Sequence, residues 1–102
     1  MTHYCVIRLD RTDGKAAEIR AATRPDHLAY MKTLVSRVLI GGPLLAGDGS
    51  ARGGMMVIEA DSIEDVRDIL ANDPFEIAGL SGTIEIAPFR WQTNRPAHLP
   101  LL

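Results

Sequence analysis

Val38-Leu39-Ile40-Gly41-Gly42-Pro43-Leu44-Leu45 is followed, after a glycine-rich polar run from Ala46 to Gly54, by Met55-Met56-Val57-Ile58-Glu59-Ala60. Two short apolar runs joined by turn-forming residues read as a β-hairpin. Gly41-Gly42-Pro43 inside the first run marks an edge, a bulge or a close backbone approach, because proline cannot donate to a ladder. Working outward, Leu28, Met31, Leu34, Val35 and Val38 recur at helical spacing. Thr23, Pro25 and Asp26 predict where that helix starts, since proline suits a first turn and Asp26 completes an approximate capping box. Lys15 to Ala22, rich in alanine, predicts a shorter helix before it. On the other side, Ser62 and Asp65 form a second box, and Ile63, Val66, Ile69 and Leu70 an apolar stripe. Asp73-Pro74 ends this helix, because the residue before proline is pushed out of the α region. Phe75 to Leu80 is a short turn closed by Gly79.

The outermost segments are again strands: Tyr4 to Leu9, stopped by the turn cluster Asp10 to Gly14, and the alternating run Thr83 to Phe89. The order is therefore β-α-β-β-α-β, the split βαβ signature of a ferredoxin-like α+β fold with a four-stranded antiparallel sheet and helices on one face. Residues 1–90 form the expected domain, and 91–102 a tail with two prolines and no periodicity. Tyr4, Val6 and Arg8 alternate with Cys5, Ile7 and Leu9, so the sheet has two partly apolar faces and one set of helices. A second copy packed sheet to sheet is the expected cover, and Trp91 is expected to anchor the tail across that homodimer.

Composition removes several classes. A length of 102 residues fits one domain with its own core. A net charge of -2 and the absence of any Lys/Arg run argue against nucleic-acid binding. No apolar stretch approaches a membrane span, and early charge in the N-terminal segment does not fit a signal peptide, so the expected location is the cytoplasm. One cysteine, Cys5, makes no internal disulfide and reads as an inert thiol in a strand. His3, His27 and His98 lack metal-ligand spacing, and no glycine-rich turn opens a helix after a strand. No cofactor is expected.

Topology then brings chemistry together. In a βαββαβ chain the start of the first long helix and the end of the second share one end of the sheet. His27, expected in the first turn of one, and Asp73, just beyond the other, meet there despite 46 intervening steps of sequence. A histidine can carry a proton near neutral pH, and a carboxylate can orient it. Asp73 also reads as a cap for the turn that Pro74 begins. Arg24 is a candidate clamp for an anionic ligand and Arg20 reads as solvated surface. Gly42, with Pro43, is a candidate for close backbone approach to a small molecule.

Arg24-Pro25-Asp26-His27-Leu28-Ala29-Tyr30, Gly41-Gly42-Pro43-Leu44, Asp73-Pro74-Phe75 with Ala78-Gly79-Leu80, and Ile86-Ala87-Pro88-Phe89 together resemble the YCII-related (YciI-like) family, from about Tyr4 to Arg90. The resemblance implies a ferredoxin-like fold of the dimeric α/β-barrel superfamily. It also implies a pocket at the sheet edge whose His and Asp map onto His27 and Asp73. One branch of the family is similar to a dehydrochlorinase acting on a chlorinated hydroquinone. The expectation is a cofactor-free acid–base enzyme of elimination or isomerisation, with catalytic His27 and Asp73 and substrate-binding Arg24, Gly42 and Pro43. The rival readings are a non-catalytic small-molecule-binding dimer and a monooxygenase or haem-handling relative.

Overall fold

The computed structural model describes residues 1–99. Its elements run β1 (Thr2–Asp10), α1 (Ala16–Lys32), β2 (Val38–Leu45), β3 (Ala51–Ala60), α2 (Ile63–Ala71), α3 (Pro74–Ile77) and β4 (Ser81–Pro88). The strands form one sheet in the order β2-β3-β1-β4, antiparallel at every pairing. The α+β ferredoxin-like arrangement expected from the hairpin is the one adopted.

The alternation of β1 decides which face is packed. Tyr4 and Val6 join Met56, Ile58 and Ala60 of β3 beneath Val66, Ile69 and Leu70 of α2 in the buried core. The start of α2 is held by Ser62, whose hydroxyl oxygen accepts from the Asp65 amide at 3.1 Å. This satisfies one of the orphan N–H groups of the first turn. Tyr30 ties α1 to α2 by donating its hydroxyl to the Ile69 carbonyl at 2.6 Å. The Gly41-Gly42-Pro43 interruption lies on β2, an edge strand, where proline's missing donor is harmless.

Three expectations are corrected. The two helices expected before β2 are one 17-residue helix with Pro25 in its interior. Thr23 is therefore no cap, and His27 lies past the middle of α1 rather than in a first turn. An interior proline costs about 3 kcal/mol, so side-chain ties to the rest of the molecule must hold α1 continuous. Of the apolar stripe, Met31, Leu34 and Val38 pack on the core, whereas Leu28 is 45% and Val35 77% exposed. The inward face of α1 also carries Ile19, Arg20, Thr23, His27 and Tyr30, each partly buried, and much of it is polar because it roofs a cavity. Finally, β3 begins at Ala51, not Met55. Gly53 and Gly54 belong to the strand, opposite Leu9 and Arg8.

On the sheet face away from the helices, Trp91 donates its indole N–H to His3 Nδ1 at 2.9 Å and meets Phe89 edge-on at 4.9 Å. Trp91 thus ties the tail to its own chain. The tail residues 100–102 lie outside the described residues. No helix among them is long and apolar enough to cross a membrane.

Gly53 is required by sterics. A Cβ there would stand 2.3 Å from the Arg8 carbonyl oxygen on the neighbouring strand. Gly53→Ala should lower unfolding stability by about 1–3 kcal/mol. Gly47→Ala, with open space around its Cβ, should change it by less than about 1 kcal/mol. Urea denaturation of the two variants checks the contrast.

Candidate functional site

Asp73 is the most constrained polar side chain near the cavity. It caps α3, with Oδ1 accepting from the Phe75 amide at 2.9 Å. The same oxygen lies 2.8 Å from His27 Nδ1, and Oδ2 accepts from Arg8 Nη1 at 2.8 Å. The residue is only 1% exposed. Burial pushes its pKa up, but the hydrogen bonds from His27, Arg8 and the Phe75 amide, with the Arg8 charge, outweigh burial and hold it below the ordinary value. Asp73 is thus an ionised acceptor, and the proton between the two side chains sits on His27 Nδ1. In the neutral ring the free lone pair is then on Nε2, which has no hydrogen-bond partner among the described residues. Phe75 stacks on the imidazole at 4.0 Å between ring centres and 16° between planes. Ring position and ring plane are both restrained.

A second layer of charge surrounds this pair. Arg8 Nη1 also donates to Glu76 Oε2 at 3.0 Å. Glu76 Oε2 takes a further bond from the Ser81 hydroxyl at 2.7 Å. Arg20 is not the solvated surface residue expected from sequence. It forms a two-pronged pair with Asp10, at 2.7 and 2.8 Å, and its guanidinium lies 5.3 Å from the Phe75 ring centre. Arg8 was overlooked, yet it carried a signal: a cation at the same parity as Tyr4 and Val6 needs a carboxylate beneath the helices. Phe75, Glu76 and Ser81 carried no comparable signal.

Between α1 and the β1–β2–β3 sheet lies a cavity of about 340 Å³. His27, Arg24, Gly42 and Pro43 line it, as do Arg8, Glu76 and Ser81. Asp73 does not; it stands behind His27. Arg24 makes no ion pair among the described residues, whereas Arg8 and Arg20 are both paired. Gly42 contributes backbone, and a Cβ there would meet nothing within 4 Å. Its glycine is therefore not demanded by packing. Among the described residues no three His, Cys, Asp or Glu side chains converge as metal ligands.

A ferredoxin-like sheet with a carboxylate-backed histidine beside an open cavity under its helix layer places the chain among small α+β proteins. The YCII-related domain matches residues 2–90. The chain is 30% identical to protein YciI of Shigella flexneri over 95 residues, covering 85% of this chain and 95% of that one. It is 38% identical over 71 residues to derivative of benzaldehyde biosynthesis cluster protein C of Emericella nidulans, covering 61% and 72%. Among solved structures it superimposes with a TM-score of 0.77, at 30% identity, on the 5-chloro-2-hydroxyhydroquinone dehydrochlorinase TftG of Burkholderia phenoliruptrix in complex with 2,5-dihydroxybenzoquinone, covering 88% of this chain and 93% of that one. A NIPSNAP-family protein of Agrobacterium tumefaciens shares the fold at a TM-score of 0.55 and 16% identity, covering 93% and 96%. This chain belongs to the YCII-related family.

The depressed carboxyl of Asp73 makes stability depend on pH with a definite sign. Its contribution is present above the ordinary carboxyl value of 3.8 and is lost as pH falls through the lower folded value. At neutral pH, Asp73→Asn should destabilise the fold by about 2–4 kcal/mol, since Arg8 and His27 lose a charged acceptor. The gap between variant and parent should narrow below about pH 4. Urea denaturation across a pH series reads it directly.

Proposed function

We propose that the protein catalyses a cofactor-free proton-transfer reaction, an elimination or isomerisation, on a small cyclic molecule held in the α1–sheet cavity. The observation that carries this reading is the 2.8 Å contact of His27 Nδ1 with the buried, ionised Asp73, on a ring whose other nitrogen is unengaged. His27 Nε2 removes a proton from the bound molecule. Asp73 fixes the tautomer and stabilises the imidazolium that forms. Arg24, cationic and unpaired among the described residues, holds an anionic oxygen of the ligand. The Gly42 and Pro43 backbone forms the opposing wall.

The likeness to a dehydrochlorinase supports the elimination branch. Loss of HCl from a chlorinated hydroquinone needs no redox partner. In the keto tautomer of the ring, whose chlorine-bearing carbon has gained a hydrogen, His27 takes a hydroxyl proton, the O–H pair becomes a C=O π bond, the ring double bond shifts to the chlorine-bearing carbon, and chloride departs with the pair of its C–Cl bond, leaving a quinone. A cavity of about 340 Å³ lies at the small end of ligand pockets. It suits a single ring better than a haem macrocycle.

Two copies pack sheet to sheet in this reading. The support is apolar exposure on the face away from the helices, where Ile7 and Ile40 are 37% and 40% exposed. Ile7→Glu should shift sedimentation from dimer to monomer, because a charge there would be buried unpaired. A wild-type protein that sediments as a monomer refutes the dimer.

The catalytic reading is tested with 5-chloro-2-hydroxyhydroquinone. The protein should release chloride, and His27→Ala should slow that release by roughly 10²–10⁴-fold. Affinity for 2,5-dihydroxybenzoquinone should change by less than about tenfold, as expected for loss of a proton carrier rather than a binding group. If the benzoquinone binds and neither elimination nor isomerisation of any hydroquinone is detected, the protein is a binding module.

A further inference from the structure

We infer that Glu76 and Ser81 form a second subsite in the cavity that accepts a hydrogen bond from a hydroxyl group of the ligand, and so restrict the ligand to hydroxylated rings. The inference rests on the proposal that this cavity is the ligand site. It deepens that reading by assigning the wall beside Arg8 a recognition role.

The hydrogen-bond inventory of that wall carries the inference. Arg8 Nη1 donates at 2.8 Å to Asp73 Oδ2 and at 3.0 Å to Glu76 Oε2. A single nitrogen has two protons, and both are spent. Glu76 is bridged to a guanidinium in a pocket where its side chain is 13% exposed, and as a carboxylate it offers acceptors only. Ser81 spends its one proton on Glu76 Oε2, at 2.7 Å. Its oxygen has lone pairs left and nothing to donate. Glu76 Oε1 has no hydrogen-bond partner among the described residues. Both residues line the cavity, so this wall presents free acceptors, Glu76 Oε1 and the Ser81 oxygen, beside the remaining N–H groups of Arg8. Arg24, elsewhere on the lining, presents the reverse: donors and a positive charge.

A matching ligand is polar in a defined sense. One edge carries a hydroxyl that donates to Glu76 and Ser81, and another carries an ionised or carbonyl oxygen that accepts from Arg24. Apolar Val6 and Met56 line the cavity between. A ligand anionic at both edges is repelled by Glu76. One without a hydroxyl leaves Glu76 Oε1 without a partner in the filled pocket, and sites built around such a bond discriminate against ligands lacking it.

The test is calorimetric titration, under nitrogen, with hydroquinone, 4-methoxyphenol and 1,4-dimethoxybenzene, which offer two, one and no hydroxyl donors on one ring. The wild-type protein should bind hydroquinone at least about tenfold more tightly than the dimethyl ether. Glu76→Gln and, separately, Ser81→Ala should each shrink that ratio several-fold. Ser81→Ala leaves the Arg8–Glu76 bridge intact, so it reports on recognition and not on folding. Circular dichroism melts of both variants confirm a native fold. If the preference persists unchanged in both variants, another acceptor such as His27 reads the hydroxyl and this inference is overturned. Equal binding of all three rings overturns it while leaving the cavity as the ligand site. If none binds and the His27 ring resonances do not move, the cavity reading falls as well.

Discussion

A carboxylate cannot stay ionised in a residue only 1% exposed unless the chain surrounds it with donors, and Asp73 obtains them from three separate elements. Phe75 supplies a backbone amide at the start of α3, Arg8 reaches from β1, and His27 reaches from α1. The same oxygen atoms that satisfy Asp73 thereby fix the helix layer to the sheet. α1 needs this tie, because its interior proline removes a helical hydrogen bond and its inward face has no fully buried residue. Arg20 with Asp10, and Tyr30 with the Ile69 carbonyl, fasten it at other points. Structural support and the proposed catalytic geometry are here one network, so removing Asp73 perturbs both.

Much of the architecture was legible in the sequence because it rests on local chemistry. The Val38–Leu45 strand, its glycine–proline edge and the Ser62 cap follow from alternation and turn residues. The first helix was harder. Pro25 is a strong local signal for a helix start, and tertiary contacts overrode it. The apolar stripe gave Met31, Leu34 and Val38 correctly but not Leu28 and Val35, because the inward face of α1 also carries Arg20 and His27 above a cavity. Hydrophobic periodicity locates cores, and a polar pocket roof is what it misses.

The proximity of His27 and Asp73 was readable from topology, although the route was partly mistaken. His27 meets Asp73 from beyond the middle of α1, not from a helix start. What sequence could not supply was the surrounding charge network. Arg8, Glu76 and Ser81 are spread over β1, α3 and β4, and only the register of β1 against β4 and the turn at α3 bring them together. Register is set by whole-sheet packing, so no short motif records it.

The glycine pair of β3 has unequal freedom, and this bears on how such a cavity diversifies. Gly53 is locked, since any side chain strikes the backbone of β1. Gly54 pairs with Arg8 and Pro43, and a Cβ there would meet only the Gly42 carbonyl oxygen, at 3.8 Å. The floor of the pocket can therefore be raised one methyl group at a time at Gly54 without disturbing strand pairing. Volume can thus be added to this cavity wall at Gly54, while its neighbour must stay glycine.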